Sequence, residues 1–249
     1  MSQTVRLRVL CGGLAIVLMA LAAPAHAVVC IIGPAGDLPP QCMNGSGYLS
    51  PSDVHMIIDG LPPGTTIELG AEHREFFNIT KAPDGTGGEI ENFNSVLTLH
   101  LTGTGDAAGY NRFLTMQTQD QTHVLADMDP SPGRRSHVTD FLGLQGQLPP
   151  GDPDFDLLRV TAGTAFGMPS PGHTTLTQLP GGNWNVDSFF DITYRIDFVG
   201  HPGGPFAGMS GSTTGTIRMQ AGQPIPEPMT LCLLGLGSIG VLGLARRLR

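Results

Sequence analysis

The chain has a single lysine, Lys81, and no basic run before its last four residues. A nucleic-acid partner needs clustered Lys and Arg to neutralise phosphates, so nucleic acid is excluded as a partner. Acids outnumber bases, 21 Asp and Glu against 13 Lys and Arg, which suits an exported domain with some capacity for cations. Amphipathic helices of ordinary length are missing, and no repeat of fixed period is present. The common catalytic signatures are missing too: there is no H-E-x-x-H, no Walker A loop and no C-x-x-C. Gly208-Met209-Ser210-Gly211 runs into Ser212, so it is not a nucleophile elbow. Gly235-Leu236-Gly237-Ser238-Ile239-Gly240 spells G-x-G-x-x-G but lies inside an apolar run and follows no strand, so the dinucleotide reading fails on context.

What the chain does have is strong at its two ends. Arg6 and Arg8 precede an apolar run from Val9 to Ala22, and Ala25-His26-Ala27 has the small-x-small form of a cleavage site. Residues 1–27 are read as a secretory signal peptide cut after Ala27. At the other end, Pro226-Glu227-Pro228 leads into 17 uncharged residues, Met229 to Ala245, followed by Arg246, Arg247 and Arg249. A helix of that length covers roughly 26 Å, near the lower limit for a membrane span. Its cationic flank stays on the cytoplasmic side, so everything before it is held outside.

This tail resembles the PEP-CTERM sorting signal of bacterial envelope proteins, also known as an ice-binding-protein C-terminal domain. Pro226, Glu227 and Pro228 match its tripeptide, Thr230 stands where that signal often has Thr, and the Leu/Gly-rich run and arginine cluster complete it. Cys232 within the run is a small departure. The resemblance covers residues 224–249 alone. It implies the inner membrane and an exosortase-type processing enzyme as partners, in a cell that usually makes exopolysaccharide. It implies no activity for the rest of the chain.

With export expected, cysteine usage becomes informative. Of four cysteines, Cys11 and Cys232 fall in the terminal apolar runs. The remaining pair, Cys30 and Cys42, flanks a Pro/Gly-rich loop and is expected to form a disulfide.

Residues 28–223 are read as one all-β domain, an antiparallel β-sandwich of jelly-roll or immunoglobulin-like type, between the signal helix and the transmembrane helix. The chain holds 35 Gly and 21 Pro, which punctuate short apolar runs. Strands are expected at Val54–Ile58, Thr65–Leu69, Glu72–Ile79, Ser95–Leu101, Asn111–Gln117, His123–Met128, Val138–Leu148 (as one strand with a glycine irregularity, or two), Leu157–Ala162, 189–198 and Thr213–Met219. The alternation is clearest twice. Leu97, Leu99 and Leu101 share one face of their strand, and Phe190, Ile192, Tyr194, Ile196 and Phe198 share one face of theirs.

Three constellations could carry chemistry. Asp152, Asp154 and Asp156 have the spacing that opens a calcium loop, but Leu157 and Gly163 stand where an EF-hand needs Gly and Glu. A looser Ca2+ site is expected there, with Asp127 and Asp129 as a second acidic loop; otherwise these are turn aspartates. Glu89 and Glu91 share a strand face and could imitate a glycosidase pair. A Ser-His-Asp triad could assemble only from distant positions, since each histidine is isolated. The expected function is that of an exported cell-envelope or extracellular-matrix protein with a non-catalytic structural or binding role, no required cofactor and exopolysaccharide as a candidate partner. The alternatives are a secreted hydrolase acting on glycans or a metal-dependent carbohydrate-binding module. Ice binding, suggested by the tail's other name, would need a flat, regular Thr array that the sequence does not show.

Overall fold

In a computed structural model the protein is described over residues 29–50, 55–57, 59–129 and 131–222. The signal segment with Ala25 and Ala27, and the tail with Pro226, Glu227, Pro228, Arg246, Arg247 and Arg249, lie outside the described residues. Among the described residues no helix is long and apolar enough to cross a membrane.

The described chain is all-β and antiparallel. Its strands are β1 Cys30–Ile32, β2 Tyr48–Leu49, β3 His55–Ile57, β4 Ile67–Pro83, β5 Glu89–Gly103, β6 Asn111–Val124, β7 Arg134–Gln147, β8 Phe155–Ala162, β9 Pro171–Gln178, β10 Trp184–Gly200 and β11 Ser210–Gly222. The sequence reading expected two stacked sheets. The pairings instead run as one sheet, in meander order from β4 to β8, on to β10 and β11, and back through β2 to β4. The eleven strands occupy eight lanes of this ring. β1 continues the β11 lane along β10, β2 lines up with β3 beside β4, and β8 lines up with β9 between β7 and β10. An eight-lane ring is just wide enough for side chains to fill its interior.

Alternation fills it. Leu97, Leu99 and Leu101 of β5 point inward with Leu114 and Met116 of β6, Leu144 of β7, and Phe190 to Phe198 at every second residue of β10. About 50 Å³ stays empty at the centre, lined by Leu69, Leu99, Leu144, Ile192 and Ile217 among others. Walls this apolar keep such a space dry.

Several expected breaks are absent. Gly70 does not end a strand, because β4 passes through it opposite His100. β4 bends later, at two register shifts near Glu75 and Asn78, both at positive φ. The Pro/Gly-rich stretch Lys81–Gly88, whose composition reads as a turn, stays in β4 as far as Pro83, and the turn begins at Asp84, whose carboxylate accepts from the backbone N–H of Thr86 at 2.7 Å and of Gly88 at 2.9 Å. Likewise 111–117 and 123–128 belong to one strand as far as Val124.

Each end of the ring is closed by side chains. At one, Phe206 stacks on Phe155 and meets Tyr110 edge-on. At the other, the loop closed by the Cys30–Cys42 disulfide acts as a plug. Its Leu38 packs with Val124, Leu176, Trp184 and Val186. The Trp184 indole N–H donates to the Pro34 carbonyl at 3.0 Å, and the Arg135 guanidinium lies 4.6 Å above the indole.

The ring closes with little room at the seam beside β11. A Cβ on Gly60 would fall 2.0 Å from the Ser210 carbonyl oxygen, and one on Gly211 would fall 2.0 Å from that of Asp59. Only a missing side chain lets these backbones meet.

Candidate functional site

The structure assembles the Ser, His and Asp that no motif nominated. Adjacent strands β4, β5 and β6 bring His73, Ser95, Thr118 and Asp120 together, all buried. The Asp120 carboxylate accepts from the Ser95 hydroxyl at 2.6 Å and from Thr118 at 2.7 Å. His73 Nε2 contacts Ser95 and lies 3.6 Å from Asp120. A hydrolytic triad needs the imidazole between acid and nucleophile, one ring nitrogen to each. Here a single nitrogen faces both, and the serine bridges the other two groups. This arrangement ties three strands in register. It presents no nucleophile to solvent.

Glu89 and Glu91 do share a side of β5, and Lys81 of β4 sits between them, 2.9 Å from an oxygen of each. Glu91 is almost fully enclosed, and its second oxygen accepts from Thr122 at 3.0 Å. The lysine contact is an ion pair without hydrogen-bond alignment. Burial pushes the Glu91 carboxyl up to about 7, against the opposing pull of Lys81. Beside it a space of about 20 Å³ is lined by Leu38, Pro39 and Pro40 of the plug together with His73 and Thr139. Outside it, a cleft of about 430 Å³ between the plug and Ile79–Lys81 has Asp37 as its one lining carboxylate.

Because the folded-state value lies above the ordinary glutamate value, folding favours the protonated form. Between about pH 4.5 and 7 the folded chain holds a proton that the unfolded chain has lost, so stability falls as pH rises through this window. Glu91→Gln removes that dependence, and Lys81 keeps Glu89. The melting temperature of the variant should therefore gain on the wild type from pH 5 to about pH 7 and then level off. Parallel melting curves for the two proteins across that range would contradict this account.

The three aspartates of the expected calcium loop diverge. Asp152 and Asp154 both bind Arg112 of β6, with Arg112 Nη2 2.5 Å from Asp152 Oδ2 and Nη1 2.5 Å from Asp154 Oδ2. Tyr110 adds a hydrogen bond to Asp154 at 3.0 Å. Asp156 turns away to His201 at 2.7 Å. A cation at this loop would have to displace the guanidinium. Asp127 and Asp129 cap a turn through the N–H groups of Asp129, Ser131 and Ser136, and Asp129 pairs with Arg134. Among the described residues no group of three or more His, Cys, Asp or Glu is arranged to hold a metal ion.

A polar concavity lies on the outer face of β6, β7, β8 and β10. It is a groove of about 460 Å³ containing Gln117, Gln119, Gln145, Gln147, Arg159 and Arg195. Pairing register builds it. Gln119 faces Gln145, Gln145 faces Thr161, and Thr161 faces Arg195. One step along, Gln147 faces Arg159 and Arg159 faces Asp197. One side is raised by residues 163–170, which leave the shared β8–β9 lane and return to it. Within that excursion the short 3-10 turn Thr164–Phe166 lays Phe166 against Gly143, where an added Cβ would sit 3.2 Å from the ring. Thr164 anchors the excursion through a 2.7 Å hydrogen bond to Asp140, and Ser170 accepts from the Thr193 N–H at 3.1 Å.

The sequence reading named none of these groove residues. The glutamines did carry a signal, since they alternate with Met116, Thr118, Asp120 and Leu144 as an outward face must. Comparison with protein-family models, curated proteins and solved structures returned no match for this chain.

Proposed function

We propose that this chain is an exported cell-envelope or extracellular-matrix protein. A signal peptide delivers it across the inner membrane, the C-terminal span holds it there, and an exosortase-type enzyme reads Pro226-Glu227-Pro228. Its β-domain then serves a structural or binding role at the surface or outside the cell. The observation that carries this reading is the order of the tail: tripeptide, uncharged span, then Arg246, Arg247 and Arg249. The two prolines fix φ and favour an extended segment, which presents Glu227 to a protease. Two features of the fold support a binding role over chemistry. The interior is packed, with spaces of about 50 and 20 Å³, so a ligand of any size has to bind outside. The buried Ser95, His73 and Asp120 are arranged to hold strands together.

The test is Glu227→Ala expressed in the native host. The variant should accumulate in the membrane fraction with its full tail, while the wild type leaves that fraction. Equal release of both proteins would defeat the sorting reading.

A further inference from the structure

We infer that the groove on the outer face of β6, β7, β8 and β10 binds an acidic polysaccharide, one whose sugars carry carboxylates. The inference deepens the proposed binding role and rests on it. Three observations converge there.

The first is the amide array. Each glutamine side chain offers two N–H donors and a carbonyl acceptor, the mixture that vicinal sugar hydroxyls satisfy in pairs. Gln117 and Gln119 on β6 and Gln145 and Gln147 on β7 are exposed and alternate along neighbouring strands. Their spacing of two residues along a strand, about 7 Å, repeats the same chemistry down the groove.

The second is charge. Arg159 Nη2 is 2.9 Å and Arg195 Nε 3.3 Å from the same oxygen of Asp197. One carboxylate thus serves two guanidiniums. The arginine side chains are 45% and 46% exposed, and the aspartate 17%. Burial works against ionisation of Asp197, but Ser212 and the two arginines still hold it below the usual carboxylate range. The groove therefore keeps one net positive charge and turned-out guanidinium edges, on a chain whose overall charge is −8. Guanidinium groups match carboxylates in geometry as well as in sign.

The third is Phe166, held at the groove by an excursion that serves no sheet pairing of its own. It is 44% exposed, enough to offer a ring face to the C–H side of a sugar. A protein partner would call for an apolar centre within the contact, and the groove has one aromatic amid amides and charges.

The test uses the full-length chain solubilised in mild detergent, so it does not depend on processing of the tail. Titration calorimetry with alginate hexamers, which carry one carboxylate per sugar, should show binding. Neutral dextran oligomers of the same length should bind at least roughly tenfold more weakly, the worth of a charge-assisted hydrogen bond. Arg195→Ala, Phe166→Ala and the pair Gln119→Ala with Gln145→Ala should each weaken alginate binding roughly tenfold. All three sites face solvent, so the melting temperature should hold, and Glu68→Ala on β4 across the ring should bind as the wild type does. Absence of binding to alginate, equal binding of dextran, or alginate binding that survives all three substitutions would each overturn the inference. None of those results bears on whether the tail is cut, which the Glu227→Ala fractionation decides separately.

Discussion

Gly211→Val should destabilise the domain by about 3 kcal/mol, the range for forcing extra atoms into a packed site. For a domain of this size that lowers the melting temperature by roughly 6 to 12 °C. The reason is local to the seam. β11 meets the turn after β3 with main chain against main chain at Gly211, and a Cβ at position 211 would fall 2.0 Å from the Asp59 carbonyl oxygen. The clash is with main chain, which cannot rotate away. One of the two backbones must shift, and the 3.3 Å hydrogen bond from the Asp59 N–H to Thr213 lies in its path. Valine is itself a favoured strand residue, so propensity works against the predicted loss. Gly70→Val gives the contrast. That glycine is also within a strand, but its Cβ would meet nothing nearer than His100 Cβ at 3.7 Å, an ordinary contact. Thermal denaturation of both variants should show a large drop for position 211 and none for position 70. Similar behaviour of the two would mean that the seam does not close the ring.

Asp120→Ala should have a comparable or larger effect. The Asp120 carboxylate is the acceptor for Ser95 and Thr118 and lies 3.6 Å from His73 Nε2, all out of contact with water. Removing it strands those groups in the core between β4, β5 and β6. Leaving each of these buried donors without its acceptor costs on the order of 1 to 3 kcal/mol. Chemical denaturation should show the midpoint falling accordingly, with Ser95→Ala milder because Thr118 still serves the carboxylate. The same pair of variants separates structure from chemistry. A catalytic Asp could be removed with the fold intact and only turnover lost. Asp120→Ala with unchanged stability would therefore return this cluster to the list of candidate active sites.

The strands were legible because inward and outward residues alternate strictly. Phe190, Ile192, Tyr194, Ile196 and Phe198 were assigned one face, and all five are buried. β11, expected as the strand Thr213–Met219, pairs with this strand along its length. The Cys30–Cys42 bond followed from arithmetic and is present. Closure of the sheet was not legible. A period of two is the same whether a strand's inner face meets a second sheet or the far side of a ring. What decides between them here is the return from β11 to β4 through two very short strands, β2 and β3, and the facing glycines Gly60 and Gly211. β9 is not among the expected strands; Pro171 and Gly172 open it, and Gly172 has no side chain to collide with Phe190 and Thr139. The Asp152–Asp156 spacing was visible and its partner was not. Arg112 lies 40 residues from Asp152, and only the pairing of strands brings it there. The groove escaped for the same reason, since its four glutamines, two arginines and one phenylalanine come from separate stretches of sequence that register alone unites.

The central claim is that a processed tail delivers this β-domain to the envelope or beyond. Intact mass of the mature protein from the native host tests it most directly. The account predicts a chain that starts at Val28 and ends before Met229, lacking both Met1–Ala27 and the apolar span. A steady-state mass that still includes Arg246 to Arg249 would contradict it and make the tail a permanent anchor.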